Sequence, residues 1–181
     1  MSDRLRLDLV LNDFVAGALT QKMIVVMSDG TPWRPLINVK DMARAIDWAI
    51  GRSAEKAGVG LIVNVGSNEW NCQVRDLAHA VAAAIPGVEV SINKNAPPDK
   101  RSYRVSYDLF KQLAPSFQPL SDFKSTILEL KEGLERVNFS DKAYRESQYM
   151  RLNVINKFRD AGLLTDNLEW SCLMNKADMV R

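Results

Sequence analysis

Histidine and cysteine are scarce in this 181-residue chain, which contains one histidine and two cysteines. A metal cluster built from histidines is therefore excluded, and His79 is the one candidate for a histidine general base. Cys72 and Cys172 lie far apart and form no Cys-x-x-Cys pair, so we expect neither a disulfide framework nor a zinc site. This cysteine usage predicts a reducing compartment, the cytoplasm.

Long apolar runs and a strong net charge are also missing. No segment approaches the roughly 18 consecutive apolar residues of a membrane span, and residues 1–8 do not have the apolar run of a signal peptide. The net charge of +2 is too small to indicate nucleic-acid binding. The tryptophans are dispersed, without the interleaved basic residues of single-strand-binding proteins. We therefore expect neither a membrane nor a nucleic acid as partner.

The third absence is a glycine-rich phosphate loop. A dinucleotide site requires such a turn directly after a strand and at the start of a helix, so that backbone N–H groups meet the pyrophosphate. The nearest candidate, Gly58-Val59-Gly60, precedes a strand-like run, and Val63 stands where the third glycine would be. We interpret it as an ordinary loop, and no Walker-type motif occurs elsewhere in the sequence.

Tyr107 and Lys111 have the spacing of a proton-transfer pair. In a Tyr-x-x-x-Lys pair the lysine lowers the pKa of the tyrosine, which can then exchange a proton with a substrate hydroxyl. The predicted helix is short and follows a proline-rich loop, and Lys94 and Asn95 stand where an accompanying serine is expected. We interpret the match as coincidental.

What the sequence does contain is the composition of an ordinary globular protein, 46% apolar and 25% charged, with alternating strand and helix patterns. Strands are predicted at 23–27, 36–39, 61–65 and 88–92, and helices at 9–19, 41–51, 74–85, 106–113, 122–137 and 142–161. This order predicts an α/β fold: a partial Rossmann-like parallel sheet with flanking helices and an α-rich C-terminal tail. We assign residues 1–120 to the α/β part and residues 121–181 to a helical tail packed on it.

Two details of this prediction concern how the elements are covered. Asp41 stands where the N-cap of a helix is expected, and an apolar face follows at helical spacing: Met42, Ala45, Ile46 and Ala49. Residues 61–65 form a near-continuous apolar run, which is typical of a strand covered on both faces.

The best candidates for binding are cationic side chains near loops. Arg34 follows a turn and precedes an apolar segment, where its planar guanidinium could bind a diphosphate; the alternative is a surface arginine stacked on Trp33. A basic loop at 93–104 is either a second anion-binding element or a solvated loop; its cations are Lys94, Lys100, Arg101 and Arg104.

The stretch 29–45, with its Asp-Gly turn, lone arginine, apolar segment and helix-starting aspartate, is followed by an apolar run ending in Asn64-Val65-Gly66. In this order and spacing the pair resembles the C-terminal half of extended short-chain dehydrogenase/reductases, the NAD-dependent epimerase/dehydratase family that acts on nucleotide sugars. The resemblance extends to about residue 170. Pro35 and Asn38 depart from the usual aspartate and histidine, which leaves the identity of the sugar open.

The resemblance implies specific substrate contacts. Asn12 matches an amide that contacts the substrate diphosphate, and Arg34 matches an arginine that contacts the phosphates. The loop at 98–104 resembles the one that closes over the nucleotide, which implies roles for Asp99 and Arg101. Asp41 matches a closing aspartate of the family motif.

The resemblance also implies which functional parts of the family this chain lacks. The family's cofactor is NAD(P), but its glycine-rich loop and Tyr-x-x-x-Lys pair precede the part that is matched here. We therefore expect a substrate-side portion that lacks the catalytic residues, does not bind NAD(P) alone, and exposes an apolar sheet edge for self-association or a partner. The alternatives are a non-catalytic interaction or nucleotide-sugar-sensing module, and an autonomous enzyme that uses Tyr107 and Lys111.

Overall fold

The computed structural model describes residues 5–55, 58–96 and 101–171. Its helices are α1 (Val10–Thr20), α2 (Val39–Gly51), α3 (Val74–Ala84), α4 (Asp108–Leu113), α5 (Phe123–Arg136) and α6 (Arg151–Asp160). Its strands are β1 (Met23–Val26), β2 (Trp33–Pro35), β3 (Asn71–Gln73) and β4 (Glu89–Ile92). Short 3-10 turns occur at Asn68–Trp70, Pro115–Phe117 and Tyr144–Glu146. The predicted α/β class is confirmed.

The strands form two small sheets. β1 and β4 pair in parallel, with Met23 opposite Glu89, and β2 and β3 pair antiparallel, with Trp33 opposite Gln73. A parallel pair requires a crossover connection, and here α3 supplies its last part and packs against both strands.

The main apolar core lies between α1, α3, α5 and the parallel strands. Each helix contributes one apolar face, and the buried set includes Phe14, Leu77, Val81 and Leu134. Gly17 allows α1 to approach β1 closely, because a Cβ atom there would lie 2.8 Å from the carbonyl oxygen of Met23. A second, smaller cluster joins α2 and α4 through buried Ala45, Trp48, Phe110 and Ala114.

The strand predicted at 36–39 was wrong: the strand lies at Trp33–Pro35, and α2 begins at Val39. Asn38 ends the extended segment because its side-chain oxygen accepts a hydrogen bond from the backbone N–H of Lys40 at 2.9 Å. Asn38, and not Asp41, is therefore the N-cap of α2. The buried Asp41 carboxylate instead accepts backbone hydrogen bonds from Leu120 and Ser121, at 2.9 and 3.2 Å.

The predicted burial of α2 is only partly right, and that of residues 61–65 is wrong. Of the predicted apolar face of α2, Ala45 is buried but Met42 and Ile46 are exposed, and the helix also buries Trp48. The strand predicted at 61–65 is not formed: these residues have no ladder partner among the described residues, and Ile62 is 99% exposed. Only one side of this segment is covered, where Leu61, Val63 and Val65 pack on the smaller cluster.

The predicted helix at 142–161 is shorter, because the chain turns before α6. The Ser147 hydroxyl donates to the Tyr144 carbonyl at 2.6 Å, and the Asn153 side chain donates to the Arg145 carbonyl at 2.8 Å. These bonds end the 3-10 turn and delay the helix to Arg151. Within the described parts of the chain, none of the helices has the length and apolarity needed to cross a membrane.

Candidate functional site

A cavity of about 800 Å³ opens between the start of α1, the end of β1, β2 and the C-terminal tail. Its wall is mostly apolar, with Leu9, Phe14, Leu36 and Trp70 among the lining side chains. Several polar and charged side chains also line it: Asp8, Asn12, Asp13, Arg34, Arg101, Tyr103 and Arg145. An apolar cavity with a few charged groups is the usual form of a small-molecule site.

Asn12 reaches the cavity from the first turn of α1. Its side-chain nitrogen donates to the Arg6 carbonyl at 2.7 Å, which fixes the plane of the amide. An amide nitrogen carries two hydrogens, so one donor remains for a ligand.

Arg34 reaches the cavity from the middle of β2. Its Nη1 donates to the Trp33 carbonyl at 2.8 Å and also to the Arg101 carbonyl. The arginine that lies over the Trp33 ring is Arg104, with its guanidinium carbon 4.5 Å from the ring centroid. β2 thus holds one cation in the cavity and stacks another outside it.

Arg101 lines the same cavity from the loop that precedes α4. Asn71 of β3 holds this loop with two reciprocal bonds: its side chain donates to the Val105 carbonyl at 2.9 Å and accepts from the Val105 N–H at 2.8 Å. Ser102 accepts the Trp33 N–H at 3.0 Å. Asp99, the remaining predicted site residue, lies outside the described residues.

Sequence reasoning missed the group that joins the tail to α1. Asp13 accepts hydrogen bonds from Arg145 Nε at 2.9 Å, Arg145 Nη2 at 2.8 Å and the Tyr144 hydroxyl at 2.8 Å. Burial and the neighbouring Asp13 carboxylate raise the pKa of Tyr144 far above its ordinary value. These residues lie more than 130 positions apart, so no local spacing could have indicated the contact.

The structure separates Tyr107 from the cavity. Tyr107 is buried, with its ring against Gly66, where an added Cβ atom would lie 2.7 Å from the ring. Burial raises the pKa of Tyr107, which is opposite to the shift that a catalytic proton donor and acceptor requires. His79 is exposed on α3 and is likewise not among the lining residues.

The described residues do not contain the glycine-rich turn that holds the pyrophosphate of a dinucleotide. Gly58 is followed by the exposed Val59 and a segment without regular secondary structure, with no helix start to direct N–H groups at a pyrophosphate. Across residues 5–55, 58–96 and 101–171, no glycine-rich turn joins a strand end to an α-helix. The same ranges contain no group of three or more metal-ligating side chains.

Comparison with known proteins agrees with the predicted resemblance. A model of the NAD dependent epimerase/dehydratase family matches residues 4–66, the part that contains Asn12 and Arg34. The fold resembles that of an NAD-dependent NDP-hexosamine 5,6-dehydratase involved in tunicamycin biosynthesis, with a TM-score of 0.58 and 21% sequence identity over 76% of this chain. It also resembles RMD from Pseudomonas aeruginosa, solved with NADPH (TM-score 0.56, 14% identity, 73% of this chain), and a GDP-L-fucose synthetase from Naegleria fowleri (TM-score 0.52, 21% identity, 73% of this chain).

Each of these structures is much longer than the present chain. The match covers 42% of the dehydratase, 44% of RMD and 40% of the synthetase. The chain therefore spans about two fifths of the proteins whose fold it shares.

Proposed function

We propose that this chain is the C-terminal, nucleotide-sugar-binding portion of an NAD-dependent epimerase/dehydratase. The observation that carries the proposal is the cavity in which Asn12, Arg34 and Arg101 meet. These residues come from a helix, a strand and a loop that are far apart in sequence. The family resemblance implies contacts to a nucleoside diphosphate sugar at these same three residues.

The chemistry of the cavity supports this ligand class. A guanidinium offers a planar set of donors that matches phosphate oxygens, and its attraction is stronger where apolar walls exclude water. The two carboxylates that line the cavity are already paired, Asp8 with Arg6 and Asp13 with Arg145. An anionic ligand would therefore meet arginine donors without facing an unpaired carboxylate. The volume of about 800 Å³ also falls within the range of small-molecule sites.

The proposal assigns no hydride or proton transfer to this chain alone. In the family NAD(P) supplies the hydride acceptor, and here the described residues offer no loop for its pyrophosphate. The fold neighbours include proteins described as acting on an NDP-hexosamine or as a GDP-L-fucose synthetase, which supports a nucleotide sugar as the ligand of this chain. We infer that the chain binds a substrate and leaves turnover to residues elsewhere.

Isothermal titration calorimetry with UDP-, dTDP- and GDP-linked sugars and with NAD tests the proposal. We expect one nucleotide sugar to bind and Arg34→Ala to weaken it by about tenfold or more. Arg136→Ala, which removes an exposed arginine at the end of α5, is the matched control and should bind as the unchanged chain does. Tight binding of NAD without binding of any nucleotide sugar would overturn the proposal.

A second candidate is a non-catalytic interaction or sensing module, which the exposed apolar surface favours. α2 exposes Val39, Met42, Ile46 and Ile50 along one stripe, with Ile50 82% exposed, and Ile62 is also exposed nearby in sequence. Contiguous apolar surface of this kind commonly marks an interface. Light scattering after size-exclusion chromatography distinguishes the candidates: self-association that Ile46→Lys abolishes supports the module, whereas a concentration-independent monomer argues against self-association through this stripe.

A further inference from the structure

We propose that Arg145 is a third phosphate-binding arginine of the cavity, held in position by Asp13, so that the C-terminal tail forms part of the ligand site. The inference rests on the proposed function, because it assigns an additional residue to the same anion site. It goes beyond the sequence resemblance, which implies ligand contacts for Asn12, Arg34, Asp99 and Arg101 only.

The Arg145 guanidinium lies at the wall of the cavity. Arg145 lines the cavity together with Arg34 and Arg101, and 36% of its side chain is exposed. It comes from the 3-10 turn at Tyr144–Glu146, which is far in sequence from the loop that carries Arg101. Three arginines from separate segments therefore line one cavity.

Asp13 occupies only part of the N–H donors of Arg145. Nε and Nη2 both bind Asp13, at 2.9 and 2.8 Å, which fixes the plane of the guanidinium. An arginine has five N–H donors. Nη1 has no acceptor among the residues that the structure describes, so the remaining donors are available to a ligand.

Hydrogen bonds to the Asp13 carboxylate reduce its repulsion of an anionic ligand. Its carboxylate accepts three hydrogen bonds, one from Tyr144 and two from Arg145. A carboxylate with this many donors presents little unpaired negative charge to the cavity. Asp13 also follows Asn12 directly in α1, so the residue that positions Arg145 is next to a predicted diphosphate contact.

The buried Tyr144 ring fixes the backbone that carries Arg145. Tyr144 is fully buried in the main core, and its hydroxyl binds both the carbonyl and the carboxylate of Asp13, at 3.0 and 2.8 Å. A side chain whose guanidinium is paired and whose backbone is fixed loses little conformational entropy when it binds a ligand. Arg145 thus has the rigidity that an anion-binding residue needs.

Calorimetry with inorganic pyrophosphate, UDP and GDP tests the inference on the full chain. Arg145→Ala should weaken binding by about tenfold and reduce its salt dependence. Arg145→Lys should recover part of the loss, because it restores the charge without the second donor. Arg159→Ala, which removes an α6 arginine that pairs with Asp166, should leave affinity unchanged.

Tyr144→Phe separates ligand binding from stability. It removes the hydroxyl bond to Asp13 but keeps the Arg145–Asp13 pair, so we expect a lower melting temperature with unchanged affinity. Equal affinity of Arg145→Ala, Arg145→Lys and the unchanged chain would overturn the inference while leaving the proposed function intact. If Arg145→Ala fails to fold, Arg145→Lys decides: affinity equal to that of the unchanged chain overturns the inference. Failure of the unchanged chain to bind any of the three probes, or any nucleotide sugar, would overturn both.

Discussion

The main core and the smaller cluster differ in how completely their elements cover one another. In the main core, α1 and α3 pack against the parallel strands, α5 packs on α1 and α3, and seventeen buried residues form one cluster. In the smaller cluster only four buried residues join α2 to α4, and the apolar stripe of α2 faces outward. The comparison shows that apolar residues at helical spacing do not by themselves decide which face is buried.

This difference should have its largest effect on the stability that is lost when an apolar side chain is truncated. Leu77 of α3 is 1% exposed in the main core, so Leu77→Ala should lower the free energy of unfolding by about 2–5 kcal/mol. Ile46 of α2 is 55% exposed, so Ile46→Ala should change it by less than about 0.5 kcal/mol. Urea unfolding followed by circular dichroism measures both. A loss at Ile46 as large as that at Leu77 would show that the stripe is covered in solution.

Alanine should have opposite effects at two helical glycines, one in each region. At Gly17 a Cβ atom would lie 2.8 Å from the Met23 carbonyl oxygen, so Gly17→Ala should destabilise the protein by about 1–3 kcal/mol. At Gly51, the last residue of α2, an added Cβ atom would have nothing within 4 Å apart from its chain neighbours and the backbone of its own helix, and Gly51→Ala should stabilise the protein by up to about 1 kcal/mol. Thermal unfolding of the two variants measures the difference, and equal signs would contradict it.

The buried carboxylate of Asp41 holds α2 to the start of α5. Replacing it by alanine leaves the N–H groups of Leu120 and Ser121 without their acceptor, which should cost about 1–3 kcal/mol. Asp47→Ala, on the exposed face of the same helix, is the control and should cost much less. Chemical denaturation of the two variants tests whether the Asp41 contact adds stability to the region where the apolar cluster is small. Similar losses would contradict a stabilising role for the hydrogen bonds that Asp41 accepts from Leu120 and Ser121.

The smallest effect concerns the reactivity of Cys72 in β3, which packs against the main core. Burial, with a smaller contribution from Asp76, raises its pKa to about 11. Because only the thiolate reacts, alkylation by iodoacetamide should keep rising with pH up to about 11 and should not level off near 9. A Cys172→Ser variant makes Cys72 the only thiol, and its rate is compared with that of a cysteine peptide. A plateau near pH 9 would show that Cys72 is accessible to water.

The sequence predicts the bounds of helices best where secondary-structure elements bury one another. The predicted segments 9–19, 74–85 and 122–137 correspond to α1, α3 and α5 within one or two residues, because their apolar periodicity matches real burial. The helix after residue 38 was predicted with the wrong cap, because both Asn38 and Asp41 are suitable residue types and only the tertiary contact to Leu120 distinguishes them. Residues 61–65 have the composition of a buried strand, but burial depends on neighbours that composition does not describe.

The candidate site divides in the same way. Asn12, Arg34 and Arg101 could be selected from the resemblance, and the structure brings all three to one cavity. Arg145 could not be selected, because its role depends on a contact with Asp13 across most of the chain. Local spacing contains no information about such a contact. The roles of all four residues in ligand binding remain predictions for the titrations above.

The β2–β3 ladder has a consequence for the order in which the protein opens. Trp33 pairs with Gln73 and Pro35 with Asn71, so α2 and residues 61–65 belong to a loop whose ends meet at this three-residue ladder. Once the Asp41 bonds to Leu120 and Ser121 also break, the loop can detach as a cooperative unit while the β1–β4 pair stays closed. Native-state hydrogen exchange should detect two protection levels, with amides of α2 exchanging through a partial opening and those of α3 only through global unfolding. The cavity that contains Arg34 borders this ladder, so a ligand bound there would slow exchange in α2 without contacting it.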